Sequence, residues 1–306
     1  MAAMHTLLMT GASRGIGRIA AANILASDPT VHLVVVARGD SGAALASELA
    51  AGRHSVSSVS ADLSSMSSVR AAAAQVATRL RNGELPPLRG IIGNAGIQYT
   101  NALTRTVDGY EATFSVNVLA NHVLIRALER YLVPGSRITI TVSDTHFGDL
   151  KHNMGMVPGP VWQAPAKLAE TAAFDKPATA SAGRTAYSTS KLAAIYHVHE
   201  LARRLPEGVD VVSFNPGFVP GTGLARNADP VSRFLMGRVM PLMTLTPMAT
   251  TPRDAARDLA NVVLGRTKAA TGSYVDRARA ARSSDESYDT GREAELWAAI
   301  EKLTMA

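Results

Sequence analysis

Short, nearly uninterrupted apolar runs alternate along the chain with alanine-rich stretches of mixed polarity. The runs at 5–10 (HTLLMT), 31–37 (VHLVVVA), 55–61 (SVSSVSA), 88–94 (LRGIIGN), 136–142 (SRITITV) and 209–215 (VDVVSFN) predict strands. The intervening stretches predict helices at 15–27, 41–51, 64–80 and 107–131, with a further helix around Tyr187. Most of these strands are apolar at successive positions rather than at alternate ones. They therefore belong in a parallel sheet covered by helices on both faces, a doubly wound α/β arrangement. There is no internal repeat and no second strand–helix series, so the whole of 1–306 is expected to be one domain.

Two stretches break the alternation. Residues 147–185 are rich in Pro, Gly, Ala and Met, and 216–252 run from PGFVPGTG to TPMATTP. Loops of that length inside a compact domain are usually lids or binding loops. The first is expected to be a lid-like insertion, the second a substrate loop, and 280–306 a helical tail.

Composition narrows the classes. Hydrophobic residues are 46% and charged residues 18% of the 306, enough for a large core and too apolar for disorder. The absence of cysteine excludes disulfides, thiolate metal sites and a cysteine nucleophile, and suits a reducing compartment such as the cytoplasm. The first ten residues lack a basic leader pattern, and no apolar run approaches a bilayer span. The net charge of +6 is spread over scattered arginines apart from Arg277, Arg279 and Arg282. With no basic stripe and no nucleic-acid motif, no nucleic-acid partner is expected.

The chemistry gathers where strands end. After the first strand comes Gly11-Ala12-Ser13-Arg14-Gly15-Ile16-Gly17, then a helix. Glycines there let the chain turn tightly and let a phosphate approach the backbone at a helix N-terminus, the phosphate-binding device of Rossmann-like folds. The second strand ends at Arg38, where an acid would bind a ribose 2′-hydroxyl and an arginine suits a 2′-phosphate. Arg14 can reach the same phosphate, whereas Asp40 is expected to face solvent. NADP(H) is therefore the expected cofactor. Tyr187 and Lys191 stand four residues apart, one turn along a helix. A lysine beside a phenol would lower a pKa that starts near ~10, giving a proton donor for work near neutral pH. Alone, the spacing also describes an ordinary surface helix.

In this order the chain presents TGASRGIG, Asp62-Leu63, Asn94-Ala95-Gly96, Asn117 in FSVNV, Ser143, Tyr187-x-x-x-Lys191 and Asn215-Pro216-Gly217. Together these resemble the short-chain dehydrogenase/reductase family over about residues 5–225. PGFVPGTGL and the tail from Ala280 are similar to the branch holding retinol dehydrogenases and protochlorophyllide reductases. The latter use a cysteine for which this chain has no counterpart. The resemblance implies that Tyr187 delivers a proton, Ser143 holds the carbonyl oxygen, and Lys191 lowers the Tyr187 pKa and bonds the nicotinamide ribose. It also implies that Asn117 positions a relay water. Asp62 would meet the adenine, Asn94-Ala95-Gly96 would pass the adenosine ribose, Pro216-Gly217 would turn beneath the nicotinamide, and Thr222 would bond its carboxamide.

The implied activity is hydride transfer between NADPH and a carbonyl or alcohol of a small, apolar substrate. The alternative is a catalytically silent NADP(H)-binding sensor; a sugar-nucleotide epimerase would need a different glycine spacing. Phe147, Met154, Met156, Trp162, Phe218, Phe234, Leu235, Met236 and Met240 are candidate pocket walls. Asp144 follows Ser143 where relatives commonly carry a small or apolar residue, so it either faces solvent or contacts a polar substrate group. His146 has the same options, and with no second ligand it is no metal site. Ser143 and Tyr187 are 44 positions apart, so the chain between them must loop out and return. Its bulk at the helix pair that simple relatives use for dimers favours a monomer.

Overall fold

A computed structural model describes residues 4–153, 155–220 and 249–305. Thr222, Met154, Phe234, Leu235, Met236 and Met240 lie outside the described residues. The first half alternates β1 His5–Thr10, α1 Gly15–Ser27, β2 Val31–Ala37, α2 Ser41–Ala51, β3 Ser55–Ser60, α3 Met66–Arg81 and β4 Leu88–Gly93. A composite helix α4 follows, built from Ala112–Phe114, one wide π-type turn at Ser115–Leu119, and Ala120–Leu128. Then come β5 Leu132–Thr141, α5 Ala180–Arg204, β6 Val209–Asn215, α6 Pro252–Val263, β7 Tyr274–Asp276, β8 Arg279–Ala281 and α7 Thr290–Thr304.

The strands form one sheet in the order β3-β2-β1-β4-β5-β6-β7-β8, parallel throughout except for the last pair. The chain winds outward one way from β1 to β3, then crosses back and winds the other way from β4. The β1/β4 junction is therefore the switch point where such sheets open a crevice at their C-terminal ends. Pairings Thr10↔Val36, Thr10↔Gly93 and Gly93↔Ile140 bring those ends level.

Side chains alternate across the sheet, so β1 feeds two cores. Leu7 and Met9 pack with Ala20, Ile24, Leu45 and Leu259 under α1, α2 and α6. Leu8 joins Val69, Val76, Leu124, Leu192 and Tyr196 under α3, α4, α5 and α7. Helix starts are fixed by side chains that accept otherwise unpaired amides. Ser65 caps α3, Thr179 caps α5, Thr251 caps α6 and Asp289 caps α7, each cap worth about 1 kcal/mol.

Three departures from the pattern have local causes. The helix expected from 107 begins at Ala112, because the buried Glu111 carboxylate takes the amides of Thr113 and Phe114. Strands β7 and β8 are only three residues long and carry no periodicity to read. The insertion is not featureless: it holds single helical turns at Leu150–Asn153 and Pro165–Leu168.

Helix α7 lies across α4 and α5. Its Trp297 packs against the rings of His122 and His197 and sits between the guanidinium groups of Arg126 and Arg204. His122 Nδ1 and His197 Nε2 are 3.2 Å apart, and both rings are buried. Glu301 pairs with His122 and Arg126. Burial, with Arg126 adding to it, pushes the His122 pKa down to about 3, and burial pushes His197 well below its usual value. Both are neutral in the fold, whereas the unfolded chain takes up protons below about 6.5. Stability is therefore expected to fall as pH drops from about 6.5 toward 4. His122→Gln should make that fall shallower, as read by melting temperature against pH; an unchanged slope would remove His122 from the cause.

Candidate active site

The turn after β1 is shaped by backbone contact. Gly11 has φ +69°, and a Cβ there would lie 2.6 Å from Ala95 N; a Cβ on Gly17 would lie 2.0 Å from Gly11 O. Only glycine lets β1, α1 and the segment after β4 meet this closely. The N-terminus of α1 receives no side-chain cap and has no acid in its first turn, so its amides remain available to an anion. Gly15, at φ +55°, has open space above it. Arg14 is exposed, Ser13 is half-buried, and Ile16 packs against the α1-side core. The turn thus fits a pyrophosphate.

A polar chain crosses the strand ends from this turn. Asn94 Nδ2 donates to Gly11 O at 3.1 Å, and Thr141 Oγ1 donates to Asn94 Oδ1 at 3.1 Å. Lys191 Nζ donates to Thr141 O at 2.9 Å. Ala95 N donates to Thr10 Oγ1, and a Cβ on Gly96 would stand 3.4 Å from Lys191 Nζ. Asn94, Ala95 and Gly96 therefore line the path between the glycine turn and the lysine. Asn117 is buried in the wide turn of α4. Its side chain exchanges bonds with Ile97 N and O and donates to Ser190 Oγ at 2.9 Å. Its carbonyl accepts Asn121 Nδ2 at 3.0 Å.

Ser143, Tyr187 and Lys191 converge. Ser143 follows β5 and caps the next turn, accepting Thr145 N at 3.3 Å, while its hydroxyl lies 3.2 Å from Asp144 Oδ1. The Ser143 hydroxyl also lies beside the Tyr187 phenol and acts on its pKa. Lys191 Nζ is 5.4 Å from the centre of the Tyr187 ring. The expectation that Lys191 holds the Tyr187 pKa down needs correction. Burial drives that phenol well above its ordinary value; the neighbouring Ser143 hydroxyl opposes this and the Asp144 charge adds to it. The lysine is instead turned to Thr141 O, and its own pKa is pushed down to about 8 by burial. A phenol kept protonated is still suited to donating.

Asp144 and His146 are not solvent-facing. Burial raises the Asp144 carboxyl to about 6; the Ser143 bond opposes the rise and Asp276 adds to it. The His146 ring accepts Ser284 N–H at Nε2, so its Nδ1 proton goes to Ser143 O at 2.5 Å. It is a buried brace beneath Ser143, packed on Phe147 and Tyr274.

At the other end of the crevice Arg38 leaves β2 with its side chain 80% exposed, 4.0 Å from Asp62 Oδ2. Asp62 Oδ1 accepts Ser64 N and Oγ, which makes it a helix-entry residue facing the Arg38 side, and Leu63 packs into the core. Asp40 is exposed. Pro216 and Gly217 follow β6 with Gly217 at φ +73°, close against Thr250 and Arg277. Of the candidate pocket walls, Trp162 turns edge-on to Tyr196 against the core and Phe147 stacks on His152.

Sequence reasoning missed Asn121, although it stands one helical turn from Asn117. It also missed Asp276, which lies on a strand too short to be seen. Asp276 Oδ1 accepts Asn215 Nδ2 at 3.0 Å, and Asn215 Oδ1 accepts Asp144 N and Gly217 N.

A family model described as short chain dehydrogenase matches residues 5–152. Protochlorophyllide reductase A of Oryza sativa subsp. japonica is 30% identical, over 97% of this chain and 80% of its own. The chain belongs to the short-chain dehydrogenase family. A short-chain dehydrogenase from Burkholderia cenocepacia, solved in complex with NADP, is 25% identical with a TM-score of 0.61, covering 88% of this chain and 94% of its own. The NADPH-bound carbonyl reductase from chicken fatty liver shares the fold at 20% identity and a TM-score of 0.61, covering 92% and 99%. This short-chain dehydrogenase is accordingly an oxidoreductase, and among its described residues no helix is long and apolar enough to cross a membrane.

Proposed function

We propose that this short-chain dehydrogenase reduces the carbonyl of a small molecule with NADPH. The observation that carries the reading is the placement of Tyr187 near Ser143 and beside buried Lys191, which hydrogen bonds tie to the glycine turn. NADPH, when bound, supplies the hydride. The N-terminus of α1 with Gly11, Ser13, Arg14, Gly15, Ile16 and Gly17 would hold its pyrophosphate. Arg38 would meet the 2′-phosphate, Asp62, Leu63 and Asn94 to Gly96 the adenosine side, and Lys191, Pro216 and Gly217 the nicotinamide side. The NADP and NADPH in the Burkholderia and chicken structures support the same choice.

Hydride arrival at a carbonyl carbon leaves negative charge on oxygen, which the protein must stabilise and protonate. Ser143 donates a hydrogen bond to that oxygen and Tyr187 delivers the proton. Lys191, fixed to Thr141 O, would bond the nicotinamide ribose, and the Asn117 turn holds the backbone from which a water refills Tyr187. A silent sensor would have no need of all four groups. Rice protochlorophyllide reductase is a relative by sequence, yet the lack of cysteine here argues for carbonyl rather than pigment reduction. Because α7 covers α4 and α5, the surface that simple relatives use to pair is occupied within one chain, which favours a monomer.

Tyr187→Phe is expected to lower turnover about 10²–10⁴-fold while NADPH binding, followed by fluorescence, persists; near-normal steady-state rates would sink the assignment. Arg38→Asp should shift preference from NADPH toward NADH by roughly 1–3 kcal/mol. Titration of both cofactors reads this directly, and an unaltered ratio means Arg38 binds something else. Light scattering should return a monomer mass; a stable dimer would refute the blocking role of α7.

A further inference from the structure

We infer that Asp144 selects carbonyl substrates carrying a hydroxyl or amine on the carbon next to the carbonyl. The inference rests on the carbonyl-reductase reading and adds no covalent step: the hydride goes to the carbonyl carbon and the proton to its oxygen. It starts from the single proton on Ser143. That hydroxyl lies 3.2 Å from Asp144 Oδ1, and a carboxylate is a stronger acceptor than a ketone oxygen. A plain ketone must therefore draw the Ser143 proton away from Asp144. It must also develop negative charge beside a carboxylate whose field already reaches the Tyr187 hydroxyl.

The cations around Asp144, His152 and Arg277, favour its charged form but are each engaged with another carboxylate, so they offset this only in part. Asp276 lies nearby and adds negative charge. Arg277 is directed to Asp276, with Nε 3.4 Å from Oδ1, and His152 to Asp149 at 2.8 Å. The backbone amide of Asp144 is fixed to Asn215 Oδ1, which pins the residue beside Ser143. A substrate with a donor beside its carbonyl resolves the conflict. In an α-hydroxy ketone the two oxygens lie a hydrogen bond's length apart, the spacing between Ser143 Oγ and Asp144 Oδ1. The substrate hydroxyl or amine donates to Asp144, and Ser143 is released to the carbonyl oxygen. Asp144 thus reads the atom next to the reacting one.

The test compares 2-hydroxyacetophenone with acetophenone in wild type, Asp144→Asn and Asp144→Leu, with NADPH fluorescence confirming that each variant is folded. Wild type should favour the hydroxy ketone at least tenfold in kcat/KM at pH 7.5, through KM more than kcat. Asp144→Leu should abolish the preference and gain on acetophenone, with Asp144→Asn between them. For acetophenone, wild-type kcat/KM should rise as pH falls through about 6, where the carboxyl takes up a proton, and the Leu variant should lack that limb. An equal preference in wild type and both variants would overturn the inference, as would a wild type that reduces neither probe. In the latter case, turnover of other aldehydes or ketones keeps the reductase reading, and its absence with NADPH bound removes that reading too.

Discussion

One side-chain amide holds the two halves of this site in register. Asn94 leaves the end of β4 at the switch point of the sheet, gives its Nδ2 to Gly11 O and receives Thr141 Oγ1. Through the next carbonyl along, Thr141 fixes Lys191. The phosphate turn on β1 and the lysine on α5 are far apart in sequence, and backbone pairing alone fixes only strand register. The Asn94 crossbar adds the lateral constraint. It acts at the level where all the strand ends are flush, so a shift of β4 by one residue would break both ends at once.

Burial also governs the two titratable side chains at this end of the sheet. Burial leaves Tyr187 a protonated phenol and Lys191 a weakened base, and neither is set by the other in the simple way that their spacing suggests. Desolvation dominates because both side chains lie inside the fold, behind Thr141 and the wide turn of α4. A helix turn of that kind spreads the backbone by one residue and commonly marks functional sites. Here it presents Asn117 toward Ile97 and Ser190 while Asn121 repairs the freed carbonyl.

Much of this was legible beforehand. Strands β1, β2 and β6 and helices α1 and α2 begin and end where their apolar runs do, because continuous Val, Leu and Ile runs between glycine or polar breaks admit few other structures. The glycine turn and the Tyr187–Lys191 pair were likewise visible, since their residue types are forced by close approach and by chemistry. What escaped was set by partners distant in sequence. The π-type turn depends on Asn121 and on the buried Glu111 cap, the position of Asp276 on a three-residue strand supported by β6, and the inward turn of Trp162 on Tyr196. The Tyr187 pKa escaped for a different reason: spacing shows which charge is near but not how much water is absent.

The clamp of α7 over α4 and α5 also orders events in time. Ser143, Tyr187 and Lys191 are all in place once β6 has been made, yet the outer face of the tyrosine helix carries His197, His199 and Arg203, which meet Trp297 and Glu293 only when α7 emerges. During synthesis, that face is bare and both apolar and ionisable, the kind of surface that draws chaperones or sister chains on a ribosome. This fifteen-residue helix therefore supplies the cover of that face after the residues it covers have been made. The nascent chain holds Ser143, Tyr187 and Lys191 well before it holds the helix that covers the face behind them.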